Sequence, residues 1–186
     1  MTRIAYQGIP GAYSQLAAHE LLPGARTVPM PDFTAVVRAV LRGSADFGIL
    51  PVENTAIGTV IEAQSAVDRE PGVEIIEELS FAVRHCLLAL PGATLDAIRH
   101  VESHPAALAQ CTRWLSARRL PPRPVADTAG AARSVAADRD FTRAAIASAA
   151  AAETYGLAVL ARDIGDAADN RTRFVLVRAL RAEVAA

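Results

Sequence analysis

Residues 32–55 read DFTAVVRAVLRGSADFGILPVENT, a helical pattern followed at once by a strand pattern. In the first part, apolar residues recur at the spacing of an amphipathic helix over 33–41. Asp32 is a suitable N-cap for this helix, and Gly43 suits the left-handed turn that ends it. The apolar run 46–52 then predicts a buried strand, so this stretch indicates a helix and a strand in alternation.

The same alternation extends along the chain. Short apolar runs that predict strands are separated by helical patterns, and Pro-rich or Gly-rich segments between them predict turns. We therefore predict an α/β fold with mostly parallel sheets. Predicted strands include 3–6, 73–79, 144–147 and 174–177, and predicted helices include 14–22, 105–118, 129–137 and 148–155.

The composition excludes several classes of protein. The chain has 186 residues, of which 52% are hydrophobic and 21% charged, so it can bury a core and is not wholly disordered. Its formal net charge of −1 argues against a nucleic-acid-binding protein, because such proteins carry a basic excess. A small anionic ligand is still compatible with this balance, since a cleft can be positive locally.

The chain shows no pattern for export or membrane insertion. Its first 20 residues are too polar for a signal peptide, and the apolar stretches elsewhere end well short of the ~18 residues that a membrane span needs. Cys86 and Cys111 have neither disulfide-scaffold nor metal-site spacing and are typical of buried thiols in a reducing compartment. We expect a cytoplasmic protein without membrane or nucleic-acid partners.

Five hydroxyl residues follow apolar runs and precede predicted helices. Residues of this type cap helix N-termini, and in a parallel sheet such helix starts lie at the carboxyl edge of the strands. The free N–H groups there favour an anion, so the pattern indicates a small-anion site. The alternative for each residue taken alone is simple capping. The five residues are Ser14, Thr55, Ser103, Thr128 and Ser148.

Short blocks of sequence, in order along the chain, carry a family resemblance. They resemble the catalytic domain of prephenate dehydratases and the related arogenate dehydratases. The blocks are YQGIPGAYS at 6–14, LPVENT at 50–55 with Gly58, HCLL at 85–88, SHP at 103–105 with AQC at 109–111, DTAGAA at 127–132, AAIAS at 144–148, YGL at 155–157 and NRTRF at 170–174.

The resemblance implies a two-lobe fold similar to type II periplasmic binding proteins, with the active site in a cleft between the lobes. By this analogy the catalytic domain covers 1–186, the first lobe takes 1–79 and 162–186, and the second takes 80–161. Family members commonly continue into a regulatory ACT domain that binds phenylalanine. Only residues 175–186 follow Phe174 here, so no ACT domain is expected in this sequence.

The resemblance implies a carbon–oxygen lyase of phenylalanine biosynthesis, within the shikimate route to aromatic amino acids. Prephenate, a dianion, would lose water and carbon dioxide to give phenylpyruvate, whereas arogenate would give phenylalanine. Aromatisation drives the reaction, so neither a metal nor another cofactor is expected. The family also implies a homodimer or homotetramer.

Two residues are candidates for catalysis through the resemblance. Thr172 corresponds to the threonine most closely tied to activity, and its weakly acidic hydroxyl suits a hydrogen-bond donor to the departing hydroxide. His104 is the candidate proton donor, because its unperturbed pKa of ~6.5 suits proton transfer. The alternatives are a β-branched residue that opens a strand for Thr172 and a helix-start residue bonded to solvent or backbone for His104.

Arg173 is the candidate clamp for a substrate carboxylate, because its planar guanidinium can bind one bidentately. The alternative is a charge exposed to water. Strand alternation places Arg173 on the face opposite Thr172 and Phe174, so both side chains reach one substrate only if the segment bends.

The remaining binding candidates have less specific roles. Asn54 and Thr55 suit polar groups of the substrate, while Ser14, Ser103, Thr128 and Ser148 would act through caps and backbone N–H groups. Phe174 joins the set through its motif, although such a residue is more often core. Glu53 would repel a dianion and is expected to form a structural ion pair. The sequence departs from the family at Thr55, where serine is common, and at Gly165, where glutamine is usual.

Two other interpretations remain open. One is a non-catalytic module that binds a small anion with the same two-lobe fold. The other is a relative that decarboxylates prephenate without aromatising it, a reaction that keeps the hydroxyl and does not need the Thr172 donor. The Thr-Arg-Phe motif at 172–174 favours dehydration.

Overall fold

A computed structural model describes residues 1–180, and the chain divides within them into two compact units. The first unit contains Met1–Gly8, Ser14–Phe81 and residues 171–180, and the second contains Ile9–Tyr13 and Ala82–Asn170. The division differs from the predicted lobes mainly at 162–170. This segment belongs to the second unit because the Ile164 and Asp166 amides donate to the carbonyls of His85 and Gln110.

The elements are numbered in chain order. The strands are β1 (Arg3–Gln7), β2 (Arg26–Met30), β3 (Phe47–Asn54), β4 (Gly58–Thr59), β5 (Val73–Ala82), β6 (Cys86–Ala89), β7 (His100–Ser103), β8 (Pro122–Pro124), β9 (Arg143–Ala147), β10 (Ala158–Ala161) and β11 (Arg171–Ala179). The helices are α1 (Tyr13–Leu21), α2 (Phe33–Leu41), α3 (Ile61–Asp68), α4 (Pro105–Ala109), α5 (Thr112–Ala117), α6 (Thr128–Asp138) and α7 (Ala149–Tyr155).

The first unit is built on a sheet with strand order β2-β1-β3-β11-β5, and β4 pairs with β3. Strand β1 is parallel to β2 and β3, whereas β11 runs antiparallel to β3. Val36 and Val40 of α2 belong to the same apolar core as Leu50 of β3 and Val175 of β11. The helix approaches β3 closely at Gly48, where an added Cβ would lie 2.8 Å from Val36 Cγ1.

The second unit has a sheet with strand order β10-β6-β9-β7-β8. Strand β7 is parallel to β8 and β9, and β6 is antiparallel to β9 and β10. Successive residues of β6 and β9 enter different cores, because alternate side chains of a strand point to opposite faces. Leu87 and Ile146 lie in one core, and Leu88 and Ala145 lie in the other.

The predicted α/β class is confirmed, but the sheets are mixed rather than mostly parallel. Each sheet contains both parallel and antiparallel strand pairs. An apolar run predicts a strand without its direction. The chain passes through the second unit before β11 returns to lie antiparallel to β3, and no local pattern encodes that return.

The helix prediction for residues 33–41 is confirmed by α2, with Asp32 Oδ1 accepting a hydrogen bond from the Ala35 amide at 2.7 Å. Gly43 has φ +67°, as the predicted turn requires. The single helix predicted over 105–118 is wrong: α4 and α5 are separate helices that meet at Gln110 and Cys111. Helix α3 was not predicted, because Ala63 and Ala66 are its only buried residues.

Four of the five predicted N-caps are wrong, two of them by one residue. Only Ser148 caps a helix, accepting a hydrogen bond from the Ala151 amide. Ser14 and Thr128 lie inside the first turn of α1 and α6, and Thr55 lies in a turn before β4. The actual caps of α4 and α6 are His104 and Asp127, the neighbours of Ser103 and Thr128. In each pair the adjacent side chain reaches the N2 or N3 amide instead.

Within residues 1–180, no helix has both the length and the apolar character that crossing a membrane requires.

Candidate active site

The pairing of β3 with β11 places Asn54 opposite Thr172. Asn54 Nδ2 donates to Thr172 Oγ1 at 2.9 Å and to the Arg171 carbonyl at 3.1 Å. Asn54 Oδ1 accepts from the Ala56 amide at 2.9 Å and from the Ile57 amide at 3.2 Å. Because the oxygen faces two N–H donors, the orientation of this amide group is fixed by its network.

Thr55 continues the pairing beyond the end of β3. Its amide donates to the Arg171 carbonyl at 2.9 Å, and its Oγ1 accepts from the Arg171 amide at 3.0 Å. Thr55 therefore replaces one rung of the strand ladder with its side chain. Together Asn54 and Thr55 fix the backbone of Arg171, the residue that precedes Thr172.

Thr172 is 8% exposed, and its hydroxyl accepts the hydrogen bond from Asn54. Within residues 1–180 it donates no hydrogen bond. A hydroxyl has one proton to donate and can accept at the same time. With Asn54 as its donor, the Thr172 hydroxyl is oriented to give its proton to a further acceptor, such as a bound substrate oxygen.

Arg173 and Phe174 lie on opposite faces of β11, as strand alternation predicts. The Arg173 guanidinium forms ion pairs with Glu53 at 3.2 Å and Glu78 at 3.3 Å, so the expected ion pair of Glu53 is present. Phe174 is 1% exposed, and its ring packs edge-to-face on Phe81 with centroids 6.2 Å apart. The register shift between Arg173 and Phe174 does not bring the two side chains to one face.

Ser103 and Ser148 lie at the carboxyl edge of the second unit's sheet, where β7 and β9 end. Ser103 Oγ donates to the Ile146 carbonyl at 2.6 Å, and Ser148 Oγ donates to the Gly11 carbonyl at 2.8 Å. Both hydroxyl protons are thus used within the protein. Any contact of these residues with an anion must come from neighbouring backbone amides. Ser14 is buried and belongs to the first unit.

His104 is exposed at the start of α4, and its Nδ1 accepts a hydrogen bond from the Ala106 amide at 3.2 Å. In the neutral ring the proton therefore lies on Nε2. This contact is the backbone-bonded alternative considered from the sequence. It also leaves Nε2–H as the atom through which the neutral side chain can donate a hydrogen bond.

The sequence interpretation assigned no role to a buried polar network around His85. His85 Nε2 lies 2.6 Å from Gln110 Oε1, which also accepts from Asn170 Nδ2 at 3.0 Å. His85 Nδ1 lies 3.2 Å from the Tyr13 hydroxyl, and burial lowers the pKa of His85. The available signal was that Tyr13, His85, Gln110 and Asn170 all stand in the motif blocks.

A second buried cluster joins β7 to β9 at their other ends. Arg143 donates to both carboxylate oxygens of Glu102, at 3.0 and 2.7 Å, and His100 Nε2 lies 2.9 Å from Glu102 Oε1. Burial raises the pKa of Glu102, but the hydrogen bonds from Arg143 and His100 outweigh it and hold that pKa below its usual value. Arg143 also forms an ion pair with Asp138.

The family model described as prephenate dehydratase matches residues 4–181 of the sequence. The chain belongs to the prephenate dehydratase family.

The relatives of this prephenate dehydratase family member include plant and bacterial proteins. The chain is 42% identical over 175 residues to arogenate dehydratase/prephenate dehydratase 2, chloroplastic, of Arabidopsis thaliana, covering 94% of this chain and 46% of that protein. It is 41% identical over 176 residues to the bifunctional N-acyl-homoserine lactone acylase/prephenate dehydratase of Komagataeibacter europaeus, covering 93% of this chain and 61% of that protein. The chain spans about half the length of the curated relatives it matches.

The fold agrees with that of a solved prephenate dehydratase. The structure from Arthrobacter aurescens, in complex with L-Phe, superposes with a TM-score of 0.90 at 30% identity. The match covers 97% of this chain and 61% of that one. The expected family and its α/β fold with two sheets are thus confirmed.

Proposed function

We propose that the chain is a prephenate dehydratase that converts prephenate to phenylpyruvate, a step of phenylalanine biosynthesis. The observation that carries the proposal is the Thr172 hydroxyl, which Asn54 holds within a chain that matches the family over 4–181. An oriented hydroxyl with a proton to donate is the group that departure of hydroxide requires.

The reaction balances with one proton and no redox step. The bond from the ring to the carboxylate breaks and releases carbon dioxide, and its electron pair enters the ring. The bond from the ring to the hydroxyl then breaks, and the departing oxygen takes one proton to leave as water. Since hydroxide is a poor leaving group, hydrogen bonding or protonation at that oxygen lowers the barrier.

We assign hydrogen bonding to Thr172 and proton supply to His104. A threonine hydroxyl is too weak an acid to lose its proton outright near neutral pH, but it can stabilise charge as it develops on the leaving oxygen. His104 would give its proton as the imidazolium, a form in which Nδ1 no longer accepts from the Ala106 amide, and Nε2 is the proposed donor atom. Asn54 orients Thr172, and Thr55 holds the backbone next to it.

Substrate carboxylates require positive charge in the site. Arg173 stays in the proposed binding set, but it must exchange its ion pairs with Glu53 and Glu78 to bind a carboxylate. Arg171 offers a second guanidinium. It bonds to the Ser80 hydroxyl at 2.8 Å and to the Ser80 carbonyl, and it forms no ion pair within residues 1–180. We therefore add Arg171 as a candidate ligand for a carboxylate.

The other binding candidates contribute in a different way. Ser103 and Ser148 spend their hydroxyl protons on carbonyls, so we propose that this edge binds substrate through backbone amides, with Thr128 at the start of α6 beside them. Ser14 and Phe174 are buried, and we propose that they shape the site without contributing charge.

The test is product identification with the purified chain. Prephenate and arogenate are incubated separately at neutral pH, and products are identified by mass and by ultraviolet absorbance, with a no-enzyme control. Phenylpyruvate from prephenate supports the proposal, whereas turnover of arogenate alone to phenylalanine would move the chain to the arogenate dehydratases. A decarboxylated product without an aromatic ring would indicate the decarboxylase, and tight binding without turnover would indicate a binding module.

Assembly and location are part of the proposal. We propose a homodimer, as expected from the family, and a cytoplasmic location, because Cys86 and Cys111 are both free and buried. Light scattering coupled to gel filtration tests the first statement. A monomeric mass at micromolar concentration would contradict it.

A further inference from the structure

His85 is buried in the second unit and has a polar neighbour at each ring nitrogen. The side chain is 3% exposed. Its Nε2 lies 2.6 Å from Gln110 Oε1, and its Nδ1 lies 3.2 Å from the Tyr13 hydroxyl. The same hydroxyl donates its single proton to the Arg84 carbonyl at 2.8 Å. The hydrogen bond that holds the His85 ring is therefore the one between Nε2 and Gln110.

The hydrogen bonds define which nitrogen of His85 carries the proton. Gln110 Oε1 accepts a hydrogen bond from Asn170 Nδ2. Oε1 is the carbonyl oxygen of the Gln110 amide and therefore cannot donate to His85. The short contact of 2.6 Å therefore requires a proton on His85 Nε2. Burial lowers the pKa of His85, which favours the neutral ring, and in that form Nδ1 carries no proton.

We propose that His85 is a positioning residue that fixes Asn170 through Gln110 and thereby sets where the strand carrying Thr172 begins. Gln110 Oε1 accepts one hydrogen bond from His85 and one from Asn170, so the His85 bond determines where the Asn170 amide is held. The Asn170 carbonyl also accepts from the Val83 amide at 2.8 Å. The inference rests on the proposed dehydratase function, because it assigns a purpose to the placement of Thr172.

The path from Asn170 to Thr172 is short along the chain. Arg171 lies between them, and both its backbone amide and its carbonyl are hydrogen-bonded to Thr55. Because Asn170 and Arg171 share a peptide bond, a shift of Asn170 strains the pairing of Arg171 with Thr55, next to the Asn54 donor that orients the Thr172 hydroxyl. Because transition-state stabilisation depends on geometry, a misplacement of about 1 Å is enough to lower the rate by up to about 10²-fold.

Two substitutions show whether His85 acts as a hydrogen-bond donor through Nε2 or only packs against its neighbours. His85→Gln places an amide N–H near the position of Nε2, whereas His85→Asn places one near Nδ1. We expect His85→Gln to keep kcat within about 3-fold of the wild type and His85→Asn to lower kcat about tenfold or more with KM little changed. His100→Gln is the matched control, since His100 is also a buried histidine of this unit but bonds to Glu102. It should leave kcat unchanged.

Hydrogen exchange tests the same role without activity. The backbone amides of 171–173 should exchange faster in His85→Asn than in the wild type, and protection should return in His85→Gln. Nitrogen-15 NMR of the wild type should show His85 protonated at Nε2. Protonation at Nδ1, equal kcat in the two His85 variants, or unchanged exchange at 171–173 would each overturn the inference. If the wild type converts neither substrate, the proposed function fails, while the exchange and NMR results still decide the role of His85.

Discussion

The first unit's Asn54–Thr172 pair and the second unit's Glu102–Arg143 pair are both polar contacts between strands with little exposure to solvent. They differ in whether a hydrogen-bond donor is left for a further partner. Asn54 uses its amide fully, while the Thr172 hydroxyl accepts one hydrogen bond and keeps a proton to donate. Glu102 is held by Arg143 and His100, and Arg143 is bonded in turn to Ser134 and Asp138. Charge in this second pair is neutralised within the protein.

This difference distinguishes the proposed site at Thr172 from the structural cluster at Glu102. Buried polar groups that satisfy one another stabilise the fold and have little left for a ligand. A buried hydroxyl that is oriented but still has a proton to give is arranged for a further partner. Substitutions in the two clusters should therefore have different effects, on activity in the first unit and on stability in the second.

Thr172→Ala removes the proton donor and should lower kcat by about 10²–10³, the scale for losing one transition-state hydrogen-bond donor. KM and the free energy of unfolding should change little, because the lost hydroxyl has one protein partner, Asn54. Steady-state kinetics with prephenate, together with urea unfolding, measures both quantities. A variant with near-full activity would remove Thr172 from the mechanism.

Asn54→Asp keeps an oxygen for the Ala56 and Ile57 amides but removes the two protons that Asn54 gives to Thr172 and Arg171. We expect kcat to fall about 10–100-fold, since leaving such contacts unmade costs about 1–3 kcal/mol. KM should also rise, because the new carboxylate repels a dianionic substrate. Kinetics at two ionic strengths checks the second effect, and a KM that does not respond to salt would argue against it.

Glu102→Gln should act on stability instead of activity. The substitution removes the charge that Arg143 and His100 face, and leaving their donors poorly paired costs about 1–3 kcal/mol of the free energy of unfolding. Activity per folded molecule should remain unchanged. Glu153→Gln, at an exposed position of α7, is the control and should unfold like the wild type. If kcat falls in Glu102→Gln, the contrast between the two clusters fails.

The smallest effect concerns the pH dependence of stability. Burial lowers the pKa of His85 below its ordinary value of 6.5, so the unfolded chain takes up a proton before the folded chain does. Stability contributed by the neutral ring is present above pH 6.5 and is lost as the pH falls from there through the folded pKa. Urea unfolding of the wild type and His85→Gln should show a shallower loss in the variant. Equal slopes would contradict this assignment.

Local structure could be predicted from the sequence where one pattern decided it. Helix α2 has an apolar stripe, a capping aspartate and a glycine stop, and all three agree with the structure. The alternation of Arg173 and Phe174 also follows from strand geometry alone. Cap positions were harder, because Asp127 stands beside Thr128 and His104 beside Ser103, and only the backbone decides which side chain reaches an amide.

Long-range pairing could not be predicted in the same way. Asn54 and Thr172 are 118 residues apart, and nothing in either stretch encodes that β3 and β11 run antiparallel in matching register. The resemblance to the family named both residues, but the hydrogen bond between them is a property of the fold. For the same reason His85 and Gln110 stood in motif blocks without a role, because Gln110 joins His85 to Asn170, which lies 60 residues further along the chain than Gln110.

The role of the Thr172 proton in the departure of hydroxide is tested by comparing Thr172→Ser with Thr172→Val in single-turnover experiments with prephenate. Valine keeps the shape of threonine and lacks the hydroxyl, whereas serine keeps the hydroxyl and lacks the methyl group. The account predicts that the serine variant forms aromatic product within about tenfold of the wild-type rate and that the valine variant is about 10²–10³-fold slower. Equal rates for the two variants would contradict a role for the Thr172 proton in the departure of hydroxide.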